Sequence, residues 1–204
     1  MAVPHTYTVF QFTDSHLSED PTACLRGVNT TDSLKAVAAL ANSFAAPDAI
    51  VATGDLSQDG SEASYWRFRE VVSQPNIPLR WLPGNHDDAM MMRRCSGAGD
   101  GEDAGTGKEP QPLRLGKWHL IMLDSQVLGA EHGALDAECL RALEVSLAKA
   151  DAASEYLLLC VHHNPLRTGA KWMDTIDLTN GAELLAMLNK HPSARALIHG
   201  HIHH

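Results

Sequence analysis

Short apolar runs alternate along this chain with stretches in which apolar residues recur at helical spacing. The runs are Tyr7–Phe12, Ala49–Ala52, Leu79–Leu82, Trp118–Leu123, Tyr156–Val161 and Arg195–His199. Their shortness and flanking turn residues predict strands. Between them, Leu34, Val37, Ala38, Ala41 and Phe44 mark one face of a helix that Thr31-Asp32-Ser33 can cap and Pro47 ends. A second helix starts at Ser61-Glu62 and carries Tyr65, Phe68 and Val72 on one side. Leu135, Leu140, Leu143 and Leu147 mark a third, and Leu184, Leu185 and Leu188 a fourth that Asn180-Gly181 opens. Leu113-Arg114-Leu115 and Trp118–Leu123 read as a hairpin around Gly116-Lys117. From Ser96 to Pro112 the chain is rich in Gly, Asp and Glu, which predicts a solvated, mobile loop rather than a linker. The order βαβαβ, hairpin, αβαβ predicts a layered α/β architecture in one domain, residues 1–204.

The strands end in residues of a restricted kind. In chain order these are Asp14-Ser15-His16, Gly54-Asp55, Gly84-Asn85-His86-Asp87, His162-His163 and Gly200-His201-Ile202-His203. An open α/β sheet takes its ligands outside the carboxyl ends of its strands, where these residues fall. Asp14 and His16 are two apart, so an extended segment points both the same way; the same holds for His201 and His203. Two such pairs from opposite ends of the chain can converge on one cation. Asp55 stands at a sheet mouth, able to bridge two cations. Asn85 adds a neutral amide oxygen and His162 an imidazole. Oxygen and nitrogen donors without thiolate suit manganese, iron, cobalt or zinc, and are too rich in nitrogen for calcium.

Composition narrows the partners. A chain of 204 residues, 44% hydrophobic and 20% charged, is long enough to bury a sizeable core. The net charge of -9 argues against a nucleic-acid polymer as partner, although bound cations can reverse the sign locally. No signal-peptide pattern opens the chain, and no apolar run nears the ~20 residues that span a bilayer, so a cytoplasmic location without membrane attachment is expected. Four scattered cysteines (Cys24, Cys95, Cys139, Cys160), with no CxxC pair, predict reduced thiols. His5, His119, His132 and His191 stand outside the motifs and are expected to be surface or core histidines.

Together, Asp14-x-His16, Gly54-Asp55, Gly84-Asn85-His86-Asp87, His162-His163 and Gly200-His201-x-His203 resemble the motif set of the calcineurin-like metallophosphoesterases. Leu123-Asp124-Ser125-Gln126, Leu159–Leu166 and Ile198–His203 further resemble the bacterial class III 3′,5′-cyclic-AMP phosphodiesterases. The resemblance implies an α/β/β/α sandwich. It also implies two divalent metals, iron or manganese first and zinc or cobalt as other candidates. By it, Asp14, His16, Asp55 and His203 hold one metal; Asp55 bridges to a second, completed by Asn85, His162 and His201. Within the His162-His163 pair the first histidine is the ligand. His199 has no counterpart in the motif. The substrate phosphate would touch His16, Asp55, Asn85, His86, His162 and His203.

Two divalent cations offset by Asp14, Asp55 and a bridging hydroxide leave about +1 in the cleft, so a phosphodiester anion can bind despite the protein's overall charge. The implied reaction is hydroxide attack that opens 3′,5′-cyclic AMP to 5′-AMP. The resemblance implies that His86 and Asp55 are the catalytic residues, His86 acting beside the scissile phosphate. Many relatives orient that histidine with an acid three residues after the bridging aspartate. Here that position is Gln58, which leaves Asp59 and Asp87 as candidate orienters. Family members continue past Gly-His-x-His with strands that complete the second sheet, so that sheet is expected to be incomplete here, with an exposed edge. The competing readings are a metallophosphoesterase of broader specificity and an inactive, truncated metal-binding fragment. Oligomeric state is not legible in the sequence.

Overall fold

The computed structural model describes residues 6–96 and 112–203. Apart from its two end residues, the Ser96–Pro112 loop lies outside the described residues. Strand β1 (Val9–Phe12) leads through a small ribbon, β2 (Cys24–Leu25) and β3 (Val28–Asn29), into helix α1 (Thr30–Ala41). Then come β4 (Ala49–Thr53), α2 (Glu62–Val72), β5 (Leu79–Leu82) and α3 (Ala89–Cys95). The second half holds β6 (Leu113–Leu115), β7 (Trp118–Leu123), α4 (Ala137–Ala153), β8 (Tyr156–Val161), α5 (Gly181–Leu188) and β9 (Ala194–Ile198).

Two sheets result. The first runs β1-β4-β5, all parallel; the second runs β6-β7-β8-β9, antiparallel only at the β6–β7 hairpin. Strand side chains alternate between faces, and that alternation builds the layers. In β4, Ala49 and Val51 meet Leu120, Met122 and Cys160 of the other sheet, while Ile50 and Ala52 pack beneath α1 and α2 with Leu34, Tyr65 and Phe68. In β8, Leu157, Leu159 and Val161 turn outward against Leu140, Leu143 and Leu147 of α4 and Leu184 of α5. The layers are therefore α/β/β/α. Of the described strands, only β8 pairs with β9.

Most of the predicted strands and helices are present, and the departures have local causes. Helix α1 starts earlier than predicted because Asn29, not Thr31-Asp32-Ser33, caps it: its side-chain oxygen accepts from the Asp32 amide at 2.8 Å. The helix ends at Ala41, so Phe44 lies beyond it and is exposed, as is Val37, and only Leu34 and Ala38 of the predicted stripe are buried. Helix α3 is too short for periodicity to reveal; Asp88 caps it by accepting from the amides of Met90 and Met91. The predicted hairpin turn is present, with Gly116 at φ 58°. All four cysteines are free thiols. No helix among the described residues is long and apolar enough to cross a membrane.

Candidate metal centre

The site is assembled by loops that continue the pairing of the strands before them. Past β1 and β4 the backbone keeps a parallel ladder: the Asp14 amide donates to the Gly54 carbonyl at 3.0 Å, His16 to Asp55 at 2.9 Å and Leu17 to Leu56 at 3.0 Å. This lays Asp14 and His16 beside Asp55. Past β8 and β9, the Gly200 amide donates to the His162 carbonyl at 3.1 Å, and the His201 amide donates to both carboxylate oxygens of Asp14 at 3.1 and 3.0 Å. The last bonds join the two sheets at the site itself.

Glycines make room for this approach. A Cβ on Gly84 would collide with Asp55 Oδ1, one on Gly54 (φ 91°) would come within 2.5 Å of His162 Nδ1, and one on Gly200 would strike Thr13 Oγ1. The non-glycine residues pay a conformational cost. Asp14, His16, Asp55, His201 and His203 all lie at positive φ, between 45° and 72°.

Those dihedrals correct one expectation. Asp14-x-His16 and His201-x-His203 are not extended, and the members of the second pair face different neighbours. His203 Nε2 lies 3.1 Å from His16 Nε2 and 3.3 Å from Asp14 Oδ1, while buried His201 places Nδ1 3.1 Å from His162 Nε2. Asp55 stands between the two clusters, its Oδ2 3.4 Å from His162 Nε2 and 3.8 Å from His16 Nε2. Ligand atoms of Asp14, His16 and His203 lie within 4.8 Å of one another, as do those of Asp14, Asp55 and His162. Asn85 brings a buried side-chain oxygen that has no hydrogen-bond partner.

These features fit a cation. A buried amide oxygen without a donor is costly unless an unseen partner satisfies it. His162 Nδ1–H donates to the Thr53 carbonyl at 2.8 Å, which leaves the Nε2 lone pair facing Asp55 and His201. Burial opposes charge on His162, yet Asp55, Asp14 and the Thr53 carbonyl lift its pKa to about 9. Burial likewise penalises the Asp55 carboxylate, but His162, the His86 amide and His16 outweigh it and hold it below the usual carboxylate range. This pair therefore attracts positive charge, whether a proton or a metal ion. Burial lowers the pKa of His16, and that of His201 to about 4, with His162 adding to the effect at His201; neutral imidazoles keep a lone pair to donate.

His163 belongs to the same cluster but has no free nitrogen. Its Nε2–H donates to the Glu131 carbonyl at 3.2 Å, so Nδ1 accepts from the Ser125 hydroxyl at 2.8 Å. Burial, then His162 and His201, push its pKa down to about 3. His199 sits just past β9, with Nδ1 2.9 Å from the Gly200 carbonyl. His119 and His191 pair with Glu155 and Asp151 away from these clusters. His5 lies outside the described residues.

His86 is exposed, and its backbone amide donates to Asp55 Oδ1 at 3.0 Å. Neither Asp59 nor Asp87 orients its ring. Asp59 accepts from the amides of Glu19 and Ser61 and from the Ser57 hydroxyl. Asp87 is buried under the loop and accepts from the amides of Leu56, Ser57 and Gly84 and from the Tyr65 hydroxyl. Burial and the nearby Asp55 charge raise the Asp87 pKa to about 6. The ring is met by Gln58, which also meets His16. Gln126 braces the same loop, its Nε2 donating to the carbonyls of Gly84 at 2.7 Å and Asp87 at 2.6 Å. Sequence reasoning missed these supports. The one signal for Gln58 was its place three residues after Asp55.

Comparison with known proteins identifies the family. The calcineurin-like phosphoesterase family model matches residues 7–204. The 3′,5′-cyclic adenosine monophosphate phosphodiesterase CpdA of Escherichia coli strain K12 is 40% identical over 196 residues, covering 96% of this chain and 69% of that protein. A Nostoc sp. protein named a 3′,5′-cyclic-nucleotide phosphodiesterase is 32% identical over 197 residues, covering 96% and 71%. Among solved structures, a dimetal phosphatase from Danio rerio superposes with a TM-score of 0.69 at 14% identity, covering 97% of this chain and 82% of that one. At that identity the likeness concerns the fold.

Proposed function

Because this chain belongs to the calcineurin-like phosphoesterase family, a family of hydrolases, we propose that it is a metal-dependent phosphodiesterase opening 3′,5′-cyclic AMP to 5′-AMP. The observation that carries this reading is the convergence of two imidazole–carboxylate clusters on Asp55, with His86 exposed beside them. In this proposal Asp14, His16, Asp55 and His203 hold one divalent ion; Asp55, Asn85, His162 and His201 hold the other. Manganese and iron suit this donor set, with zinc and cobalt as alternatives. Such ions lower the pKa of a bound water and polarise phosphoryl oxygens.

The chain's own residues do the rest. Asp55, held below the usual carboxylate range, keeps its charge and so limits how much of the cations' charge is left for a phosphodiester. His16, Asp55, Asn85, His86, His162 and His203 surround the phosphate. His86 offers its ring to the phosphoryl group or the departing 3′-oxygen. Water oxygen bonds to phosphorus, the bond from phosphorus to the 3′-oxygen breaks, and that oxygen leaves as a hydroxyl. The names of the Escherichia coli and Nostoc relatives support the substrate class.

Turnover of cyclic AMP and of bis(4-nitrophenyl) phosphate by the manganese-loaded chain, and by His86→Ala, tests the proposal. Expected are 5′-AMP as product, loss of activity in chelator, and a fall in kcat of about 10²–10⁴-fold in the variant with its manganese content unchanged. Hydrolysis of the aryl ester with cyclic AMP untouched would favour the broader phosphoesterase reading. Inactivity toward both, with metal bound, would favour a binding role.

A further inference from the structure

Gln58 spans the two histidines at the mouth of the site. Its Oε1 lies 2.9 Å from His16 Nδ1 and its Nε2 lies 3.2 Å from His86 Nδ1. A primary amide accepts only at oxygen and donates only at nitrogen, so the two contacts are not interchangeable. His16 turns Nε2 toward His203 and Asp55, at 3.1 and 3.8 Å, and belongs to the cluster through that atom. With Nε2 giving its lone pair to the proposed cation, a His16 imidazole carries its hydrogen at Nδ1. That hydrogen needs the amide oxygen. The amide NH₂ is then left for His86 Nδ1, which must accept, so the His86 hydrogen resides on Nε2.

We infer that Gln58 is a positioning residue that couples the two rings and, through its amide, orients His86 so that Nδ1 accepts and Nε2–H is presented as a hydrogen-bond donor to the substrate phosphate. The inference rests on the proposed place of His86 beside that phosphate. A carboxylate at position 58 would do something different. It can only accept, so both rings would need a hydrogen at Nδ1, and His86 would either lose its Nε2 hydrogen or become doubly protonated. An amide at this position thus selects a donor of fixed tautomer where an acid selects another proton inventory. Asp59 and Asp87 do not compete for the role, because backbone amides and hydroxyls occupy their oxygens.

The test is ¹⁵N NMR of the histidine rings in the zinc-loaded, diamagnetic protein, with His86 signals assigned by their loss in His86→Ala. The wild type should show a pyrrole-type Nε2 and a pyridine-type Nδ1 at His86. Gln58→Glu, nearly isosteric, should convert Nδ1 to the pyrrole type. Gln58→Leu should relax His86 toward the mixture of free imidazole. It should also lower kcat by about tenfold, the scale of one hydrogen bond, with KM within about twofold. A protonated His86 Nδ1 in the wild type, or a tautomer indifferent to both substitutions, would overturn the inference. Turnover of another phosphoester but not cyclic AMP, with these tautomers in place, would support the role of Gln58 while removing cyclic AMP as substrate.

Discussion

Asp14, His16, Asp55, His201 and His203 hold left-handed backbone conformations, which cost on the order of 1–3 kcal/mol each for residues with a Cβ. Such residues persist only where their surroundings over-determine them, and here the amide ladder past β1 and β4 and the His201–Asp14 bonds do so. His163 illustrates a different arrangement at the same address: a histidine with both ring nitrogens hydrogen-bonded within the protein. Its folded pKa of about 3 lies below the unfolded value near 6.5. Below pH 6.5 the unfolded chain takes up a proton the folded chain refuses. Stability from this group is therefore complete above pH 6.5 and is lost as pH falls toward 3. In chelator, His163→Gln should flatten the fall of urea-unfolding stability between pH 6 and pH 4 by roughly 1.4 kcal/mol per pH unit. An unchanged slope would show that His163 is not held neutral. The family resemblance pointed to His162 over His163 as the candidate ligand; that both ring nitrogens of His163 are engaged depends on Ser125 and the Glu131 carbonyl, both distant in the chain.

At the scale of elements, the longer strands were legible because the runs are short, apolar and ended by Gly, Pro or polar residues. The helix faces were partly legible. In α2 the predicted Tyr65, Phe68 and Val72 are all buried; in α1 Val37 is not, because helical spacing gives a face without saying how far a neighbour covers it, and Phe44 falls past the helix end. What lies beyond each strand matters more for the site. Gly200 follows β9 by two residues, and a methyl there would meet Thr13 Oγ1, Asp14 Oδ2 at 2.7 Å and the Thr53 carbonyl at 3.0 Å. Two of those three groups are backbone or candidate ligand and cannot yield without moving the site. Gly200→Ala should therefore weaken manganese binding by about 10–100-fold in titration calorimetry, the scale seen when groups around a metal ligand are disturbed. Wild-type affinity would mean that Asp14 is not held in place by this close approach.

Across the whole molecule, the site lies where the two sheets meet, and neither sheet carries it alone. Asp14, His16, Asp55 and Asn85 follow strands of the first sheet; His162, His201 and His203 follow strands of the second. Gln11 of β1 reaches across, donating to Thr53 Oγ1 at 2.8 Å and to the His199 carbonyl at 3.0 Å. Cations bound at this junction would tie the halves together and stabilise only the folded chain. Manganese at a hundredfold over its Kd should add about 2.7 kcal/mol, raising Tm by roughly 5–10 °C for a chain of this size. Asp55→Ala, which removes the carboxylate between both clusters, should show almost no such shift. A full shift in that variant would refute the bridging assignment.

By itself the sequence determined where the longer strands and helices lie, though not helix α3 or the β2–β3 ribbon, that metal-ligating residue types stand at the strand ends, and which family the motif order resembles. These are local properties: period, turn residues and the identity of side chains at fixed offsets. Only the tertiary structure decided which cluster each candidate ligand joins, that Asp14-x-His16 and His201-x-His203 turn through left-handed backbone rather than run extended, and that Gln58, not Asp59 or Asp87, meets His86. Those outcomes depend on where five loops from two sheets come to rest, and no periodicity within a single segment encodes the position of a residue some 190 places away.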